Sequence, residues 1–208
     1  MLRQFHELKR QYETVSIGGL SLGAVLSLSL AAELKDEVAG LTLFSTTLFY
    51  DGWNVPWYRK MLLAGYYTPL RYLYAFREGE PYGLKDEQLR KWVAHEMMCK
   101  NSSIAGAAKL SLPAMHEAAL LIESVKDRLP QVTAPALILH AEEDDVSNLR
   151  SAHYVADHIG SEKVESIILH DSYHMITIDK EREKVAAETI RFLDSVIRSP
   201  HLLYATMR

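Results

Sequence analysis

The chain has 208 residues, 48% of them apolar and 24% charged, proportions that exclude a globally disordered polypeptide and leave room for one sizeable domain. A net charge of −4 with no Lys/Arg run of five residues excludes the electrostatic footprint of a nucleic-acid binder, so no such partner is expected. The single cysteine, Cys99, rules out an internal disulfide, makes the cytoplasm the default compartment and, with no histidine motif beside it, is expected to be a small buried hydrophobe.

The opening MLRQFHELKRQYET is charged throughout, unlike a secretory signal, and reads as a helix. The uncharged stretch Val15 to Ala32 is long enough to raise the question of a membrane span. Gly18 and Gly19 break it, and Ser16, Ser21, Ser27 and Ser29 punctuate it, so a strand, a turn and a buried helix fit better and no span is expected. Thr14 to Gly18 is the predicted strand, Leu22 to Leu34 the helix, and Val38 to Phe44 (VAGLTLF) a second strand.

Tyr50 to Pro130 has a different character, predicting helices and no convincing strands. It is read as a helical insertion of residues 50–130 between two pieces of one core, 1–49 and 131–208. Aromatics crowd it. Tyr58, Tyr67, Tyr72, Tyr74, Phe76, Trp92, Met97 and Met98 are expected mainly to pack the insertion onto the sheet, whereas Trp53, Trp57 and Tyr66 are candidates for lining an apolar acyl pocket. The strand and helix alternation resumes with Ala136 to His140 (ALILH), a helix over Asn148 to Ile159, and the strand Val164 to Leu169. In the closing helix Ala186, Ile190, Leu193 and Ile197 recur at helical spacing and predict the face packed on the sheet. The expected fold class is therefore α/β, a parallel sheet of about four strands flanked by helices.

Gly19-Leu20-Ser21-Leu22-Gly23 lies between the first strand and its helix. A serine on so sharp a turn sits in a strained backbone conformation, and small residues two positions to either side avoid collision of strand with helix. The pattern alone arises by chance in about one chain in fifteen of this length. Its placement after an apolar strand and before a buried helix is what makes Ser21 a candidate nucleophile. Its partners must come from loops at the C-terminal ends of later strands, and two loops qualify. One is Ala141-Glu142-Glu143-Asp144-Asp145-Val146, the other His170-Asp171-Ser172-Tyr173-His174. Histidine suits a base because its ordinary pKa near 6.5 lets it take and return a proton at neutral pH. The order Ser, Asp, His along the chain is the one found where the nucleophile sits at a strand-to-helix elbow. His95, His116, His153 and His158 lack metal-ligand spacing on a common face, and no metal or organic cofactor is expected.

GLSLG at Gly19 to Gly23, LILHAEEDD at Leu137 to Asp145 and DSYH at Asp171 to His174 together resemble the α/β-hydrolase family, within it the carboxylesterases and monoacylglycerol lipases with a helical cap. The resemblance covers essentially the whole chain and implies a carboxylic ester hydrolase whose triad is Ser21, Asp144 and His174. The family's acid turn usually runs His, Gly, two variable residues and the acid; Ala141 stands in place of the glycine and the count lands on Asp144, with Asp145 the alternative. His174 matches the family's Ser-x-His turn, while His170 ends the strand. The backbone N–H of Leu22, the residue after the nucleophile, is the implied oxyanion donor. The resemblance also implies several strands before the nucleophile, one of whose loops brings a second donor; Met1 is read as starting inside the helix before the nucleophile strand, so the chain is expected to be the C-terminal portion of a longer hydrolase. Loss of one oxyanion donor costs about 10² to 10³ in rate. Two readings follow: an active esterase, with thioesters, amides and acyl transfer open to the same triad, and an impaired remnant that binds apolar ligands or a partner.

Overall fold

The computed structural model describes residues 1–58, 66–72, 75–77, 79–100, 102–103, 106–107 and 109–198. Tyr74 and the side chain of Met98 lie outside the described residues. Helix α1, Leu2–Lys9, precedes strand β1, Ile17–Leu20, and helix α2, Leu22–Leu34. Strand β2, Leu41–Phe44, leads into the long insertion, which carries the short strands β3 (Ala75–Arg77), β4 (Ser102–Ser103), β5 (Gly106–Ala107) and β6 (Lys109–Ser111); after it come strand β7 (Ala136–Ala141), a helix over Leu149–His158, strand β8 (Val164–Leu169) and the last helix, Arg182–Ile197. The helix at 22–34 and the strand at 164–169 match the sequence pattern at both ends.

Strands β1, β2, β7 and β8 form one parallel sheet in the order β1-β2-β7-β8. Ile17 pairs with Leu41, Leu41 with Ala136, and Ala136 with Val164, so the strands share one register and finish at one edge. All six residues of β7 are buried, as expected of a parallel strand covered on both faces. Its side chains alternate between two cores. Ile138 packs with Val25, Leu28, Ile122 and Val125 on one face, while Leu137 and Leu139 join Ile176, Val185, Phe192 and Val196 on the other. Helix α2 is apolar on nearly every side, with eight of its residues buried, and at 13 residues it belongs to the core. Among the described residues no helix is long and apolar enough to cross a membrane.

Several features differ from the sequence pattern; the first strand is Ile17–Leu20, so Gly18 and Gly19 lie within it instead of closing a strand over Thr14 to Gly18. Ala186, Ile190 and Ile197 are exposed, the latter two at 62% and 53%, and the sheet is met instead by Val185, Phe192 and Val196. Both sets have helical spacing and are offset by one residue, about 100° around the helix, so periodicity alone does not choose between them. The larger Phe192 buries completely, and burying an aromatic ring outweighs burying an alanine. The insertion, in turn, is not purely helical. It holds helices over Glu87–Lys100 and Leu112–Arg128, but also two antiparallel ribbons, one pairing Ala75–Arg77 with Lys109–Ser111 and one pairing Ser102–Ser103 with Gly106–Ala107. Ribbons of two or three residues are too short to show a period of two.

Cys99 is exposed, with its Sγ 3.7 Å from His95 Nε2 one turn earlier. The helix 87–100 buries Val93 and Met97, which turns Cys99 outward instead of into the core.

Candidate active site

Because the sheet is parallel, the chain leaves every strand at the same end, and Ser21, the loop 142–147 and the loop 170–179 gather there. Ser21 stands between β1 and α2 with φ 57° and ψ −118°, a left-handed conformation that L-residues adopt at a cost of about 1–3 kcal/mol. Its backbone N–H donates to Phe44 O at 2.8 Å, fastening the turn to the neighbouring strand. A Cβ at Gly19 would collide with the Gly23 carbonyl, so this glycine is required by close approach of strand and helix. Gly23 has open space where a Cβ would stand, so the turn demands a glycine at one of the two flanking positions only. Gly18 is the second tight position, since a Cβ there would strike the Thr42 side chain on β2.

The structure separates the two adjacent acids. The Asp144 carboxylate lies 2.9 and 2.8 Å from His174 Nδ1 through its two oxygens, and its Oδ1 also accepts the N–H groups of Val146 and Ser147 at 2.9 and 2.8 Å. Its side chain is fully buried. Burial pushes this carboxyl upward, yet His174, His140 and the Ser147 amide outweigh it and hold Asp144 below its ordinary value. A carboxylate at Nδ1 assigns the hydrogen to Nδ1 and leaves Nε2 of His174 free of one, the tautomer a base needs. Asp145 instead accepts the backbone N–H of His174 at 3.3 Å, and burial pushes its carboxyl up. His170 is exposed and pairs with Glu142 at 2.6 Å.

Behind Asp144 stands a second histidine. His140 is fully buried at the end of β7, with Nε2 2.7 Å from the Ser147 carbonyl and 3.4 Å from Asp144 Oδ2. The carbonyl can only accept, so Nε2 carries the hydrogen, and burial pushes the His140 pKa down. Thr47 is a contact that no sequence signal points to. Its buried hydroxyl lies 3.1 Å from Ser21 Oγ and donates to Ser45 O at 3.3 Å, a consequence of β2 ending beside the Ser21 turn.

Ser21, Leu22 and His174 line one cavity of about 370 Å³, within the range of small-molecule sites. Leu20, Val55, Pro56, Phe76, Leu110 and Met175 make much of its wall apolar, and Asn54, Tyr82 and Asp145 add polar groups. Leu22 opens α2, where the first backbone N–H groups have no partner within the helix. Trp53, Trp57 and Tyr66 stand outside this lining. Trp53 donates its indole N–H to Glu143 O and meets the Tyr173 ring edge to face, Trp57 is 82% exposed, and Tyr66 is buried against His116, Leu112 and Met115. Aromatic content marks the segment that roofs the cavity, but the direction of each ring depends on backbone path. Phe76 and Leu110, on the paired strands of the insertion, face the cavity instead. Among the described residues no group of three or more His, Cys, Asp or Glu side chains is placed to hold a metal ion.

The Hydrolase_4 family, described as serine aminopeptidase, S33, matches residues 1–181. A thermostable monoacylglycerol lipase of Bacillus sp. (strain H-257) is 25% identical over 185 residues, covering 89% of this chain and 64% of that protein. A carboxylesterase of Bacillus subtilis (strain 168) is 22% identical over 185 residues, covering 89% of this chain and 65% of its own length. The chain thus spans just under two thirds of the curated relatives it matches. Among solved structures, one from the metagenome-derived lipolytic enzymes LipS and LipT superposes with a TM-score of 0.75 at 21% identity, covering 93% of this chain and 70% of the other. The four-stranded parallel sheet flanked by helices is that of an α/β-hydrolase.

Proposed function

The chain belongs to the serine aminopeptidase S33 family, and from that premise we propose that it is a serine hydrolase acting on carboxylic esters, with Ser21 as nucleophile, His174 as base and Asp144 as the acid that orients the base. The observation that carries this reading is the buried Asp144 carboxylate within 2.9 Å of His174 Nδ1, in a ring whose cavity also receives the strained Ser21. Esters are favoured over peptides because the relatives are a monoacylglycerol lipase and a carboxylesterase and because much of the cavity wall is apolar. The substrate class is a small ester with an apolar acyl group, a monoacylglycerol or a short- to medium-chain ester.

In the first half-reaction His174 Nε2 takes the Ser21 proton as Oγ attacks the ester carbonyl. Asp144 holds the imidazole and stabilises the imidazolium, and the Leu22 N–H donates to the oxyanion. His174 then returns the proton to the departing alkoxide, leaving an acyl-Ser21 ester. Water gives its proton to the same nitrogen, attacks the acyl carbon, and the acid leaves as Ser21 recovers its hydrogen.

A fluorophosphonate probe tests the assignment. The folded chain is expected to label at Ser21 and to hydrolyse a p-nitrophenyl acyl ester, with Ser21→Ala abolishing both. A folded chain that never labels at Ser21 overturns the reading.

A further inference from the structure

His174 is flanked by two backbone bonds, one made directly to the insertion and one to a carboxylate that in turn holds the insertion. The N–H of Met175, which follows it, donates to Gly83 O at 2.8 Å. The N–H of Tyr173, which precedes it, donates to Asp179 Oδ2 at 2.8 Å. The same carboxylate accepts the N–H of Lys85 on Oδ2 at 2.8 Å and the N–H of Asp86 on Oδ1 at 2.9 Å. Asp179 is completely buried, and both of its oxygens serve as acceptors for backbone amides from segments about ninety residues apart in sequence. A buried carboxylate with three such donors forms charge-assisted bonds, stronger than neutral ones and costly to leave unmade.

The insertion side of this joint is itself firmly seated. Leu84 is fully buried with Val93 and Met97, beside Tyr82, Met175 and Ile178. Arg90 donates to Leu84 O at 3.1 and 2.9 Å, and Asp86 Oδ1 accepts from Gln88 and Leu89 at the start of the helix 87–100. Gly83, at φ 72°, passes so close to the histidine loop that a Cβ would come within 2.8 Å of Met175 Cγ and 3.1 Å of His174 Cβ.

We propose that Asp179 is a positioning residue that makes the placement of His174 conditional on the docking of insertion segment 83–86. The base is aligned with Asp144 and Ser21 only while that segment is seated, because the carboxylate fastening the segment is the one fixing the residue before the base. This rests on the reading of His174 as the base. Misplacement of a reacting group by about 1 Å costs on the order of 100-fold in rate, which sets the scale of the effect.

Asp179→Asn is the sharpest variant, since an amide can accept on one side only and must turn its NH₂ toward an N–H on the other. Its kcat and its rate of fluorophosphonate labelling are expected to fall about 10- to 100-fold with KM within about threefold. The Tyr173, Lys85 and Asp86 amides should lose hydrogen-exchange protection together, and the His174 Nδ1–H proton resonance should shift or vanish. Phe192→Ala, a distant core variant, is the control expected to lower the melting temperature while leaving kcat and that resonance in place. Should Asp179→Asn fail to fold, Leu84→Ala loosens the same seat without touching the carboxylate and is expected to lower kcat while deprotecting the Tyr173 amide. Unchanged kcat and an unshifted resonance in either variant, despite loss of amide protection at 85 and 86, would overturn the coupling. If the unaltered chain does not label, the esterase reading fails, and the joint is then decided by whether the three amides and the Nδ1–H resonance change together.

Discussion

The sheet and the insertion meet at one cavity but are built on opposite terms. Every residue of β7 is buried, and the loops leaving the strand ends are pinned by short backbone bonds such as Ser21 N–H to Phe44 O and Glu142 N–H to Leu169 O, both 2.8 Å. The insertion exposes Trp57, Tyr67 and Tyr72 at 82%, 80% and 71%; its helix 112–128 buries Ile122 and Val125 against the sheet, but over the strand-end loops it is held largely by polar stitches. Trp53 and Lys85 reach Glu143, the Asn54 N–H donates to Asp145 O at 3.0 Å, and Asp51 accepts from the Asn148 N–H at 3.0 Å. The proposed chemistry thus sits on the side made rigid by burial, whereas the roof shapes the cavity from a surface still open to water.

Substitutions at the strand-end loops should therefore produce the largest losses. Asp144→Asn leaves the shape of the site, but with its single oxygen held by the Val146 and Ser147 amides it turns an NH₂ toward Nδ1 and reverses the His174 tautomer, and kcat is expected to drop about 10⁴-fold. Asp145→Asn, which keeps an acceptor for the His174 N–H, is expected to cost about tenfold or less. Steady-state kinetics on the pair checks this, and equal losses would break the division of labour between the adjacent acids.

The next effect is on stability. Phe192→Ala empties a fully buried site against the sheet and should cost about 3–5 kcal/mol in urea unfolding, while Ile190→Ala, two residues away and exposed, should change it by no more than about 0.5 kcal/mol. A reversed ranking would restore the other face of the helix.

Smaller still is a pH effect centred on His140. Its folded pKa lies below the ordinary 6.5, so the unfolded chain binds a proton that the folded chain refuses as pH falls through 6.5. The contribution is complete above that pH and declines below it, by at most about 1.4 kcal/mol per pH unit for one proton. Urea unfolding at pH 7.5 and 5.5 should show the decline, and His140→Gln should flatten it. The smallest change belongs to the roof. Trp57→Ala is expected to alter stability by no more than about 0.5 kcal/mol and to leave KM unchanged, whereas Phe76→Ala, on the cavity wall, should raise KM for the longer acyl esters.

Much of the fold was legible because it rests on contiguous residues. The apolar run 15–32 with its double glycine announced a strand, a turn and a helix, and VESIIL announced its strand without an error at either end. Gly19 could be read as obligatory because a turn this tight leaves no room for a Cβ, although the same argument applied to Gly23 meets open space. Aromatics such as Trp53 and Trp57 were legible as a feature of the insertion but not as cavity walls, since composition carries no direction.

Local sterics and hydrophobic period suffice for the alternation of strand and helix, the elbow at Ser21, and the order in which serine, acids and histidine leave their strands. Only packing selects Asp144 over Asp145 to face Nδ1, turns Val185, Phe192 and Val196 of the last helix inward, brings Thr47 to Ser21 and ties Asp179 to the loop that carries His174. Those choices join groups from 26 to 94 residues apart, or select between helix faces of equal period, and such distances and rotations are set only when the layers pack.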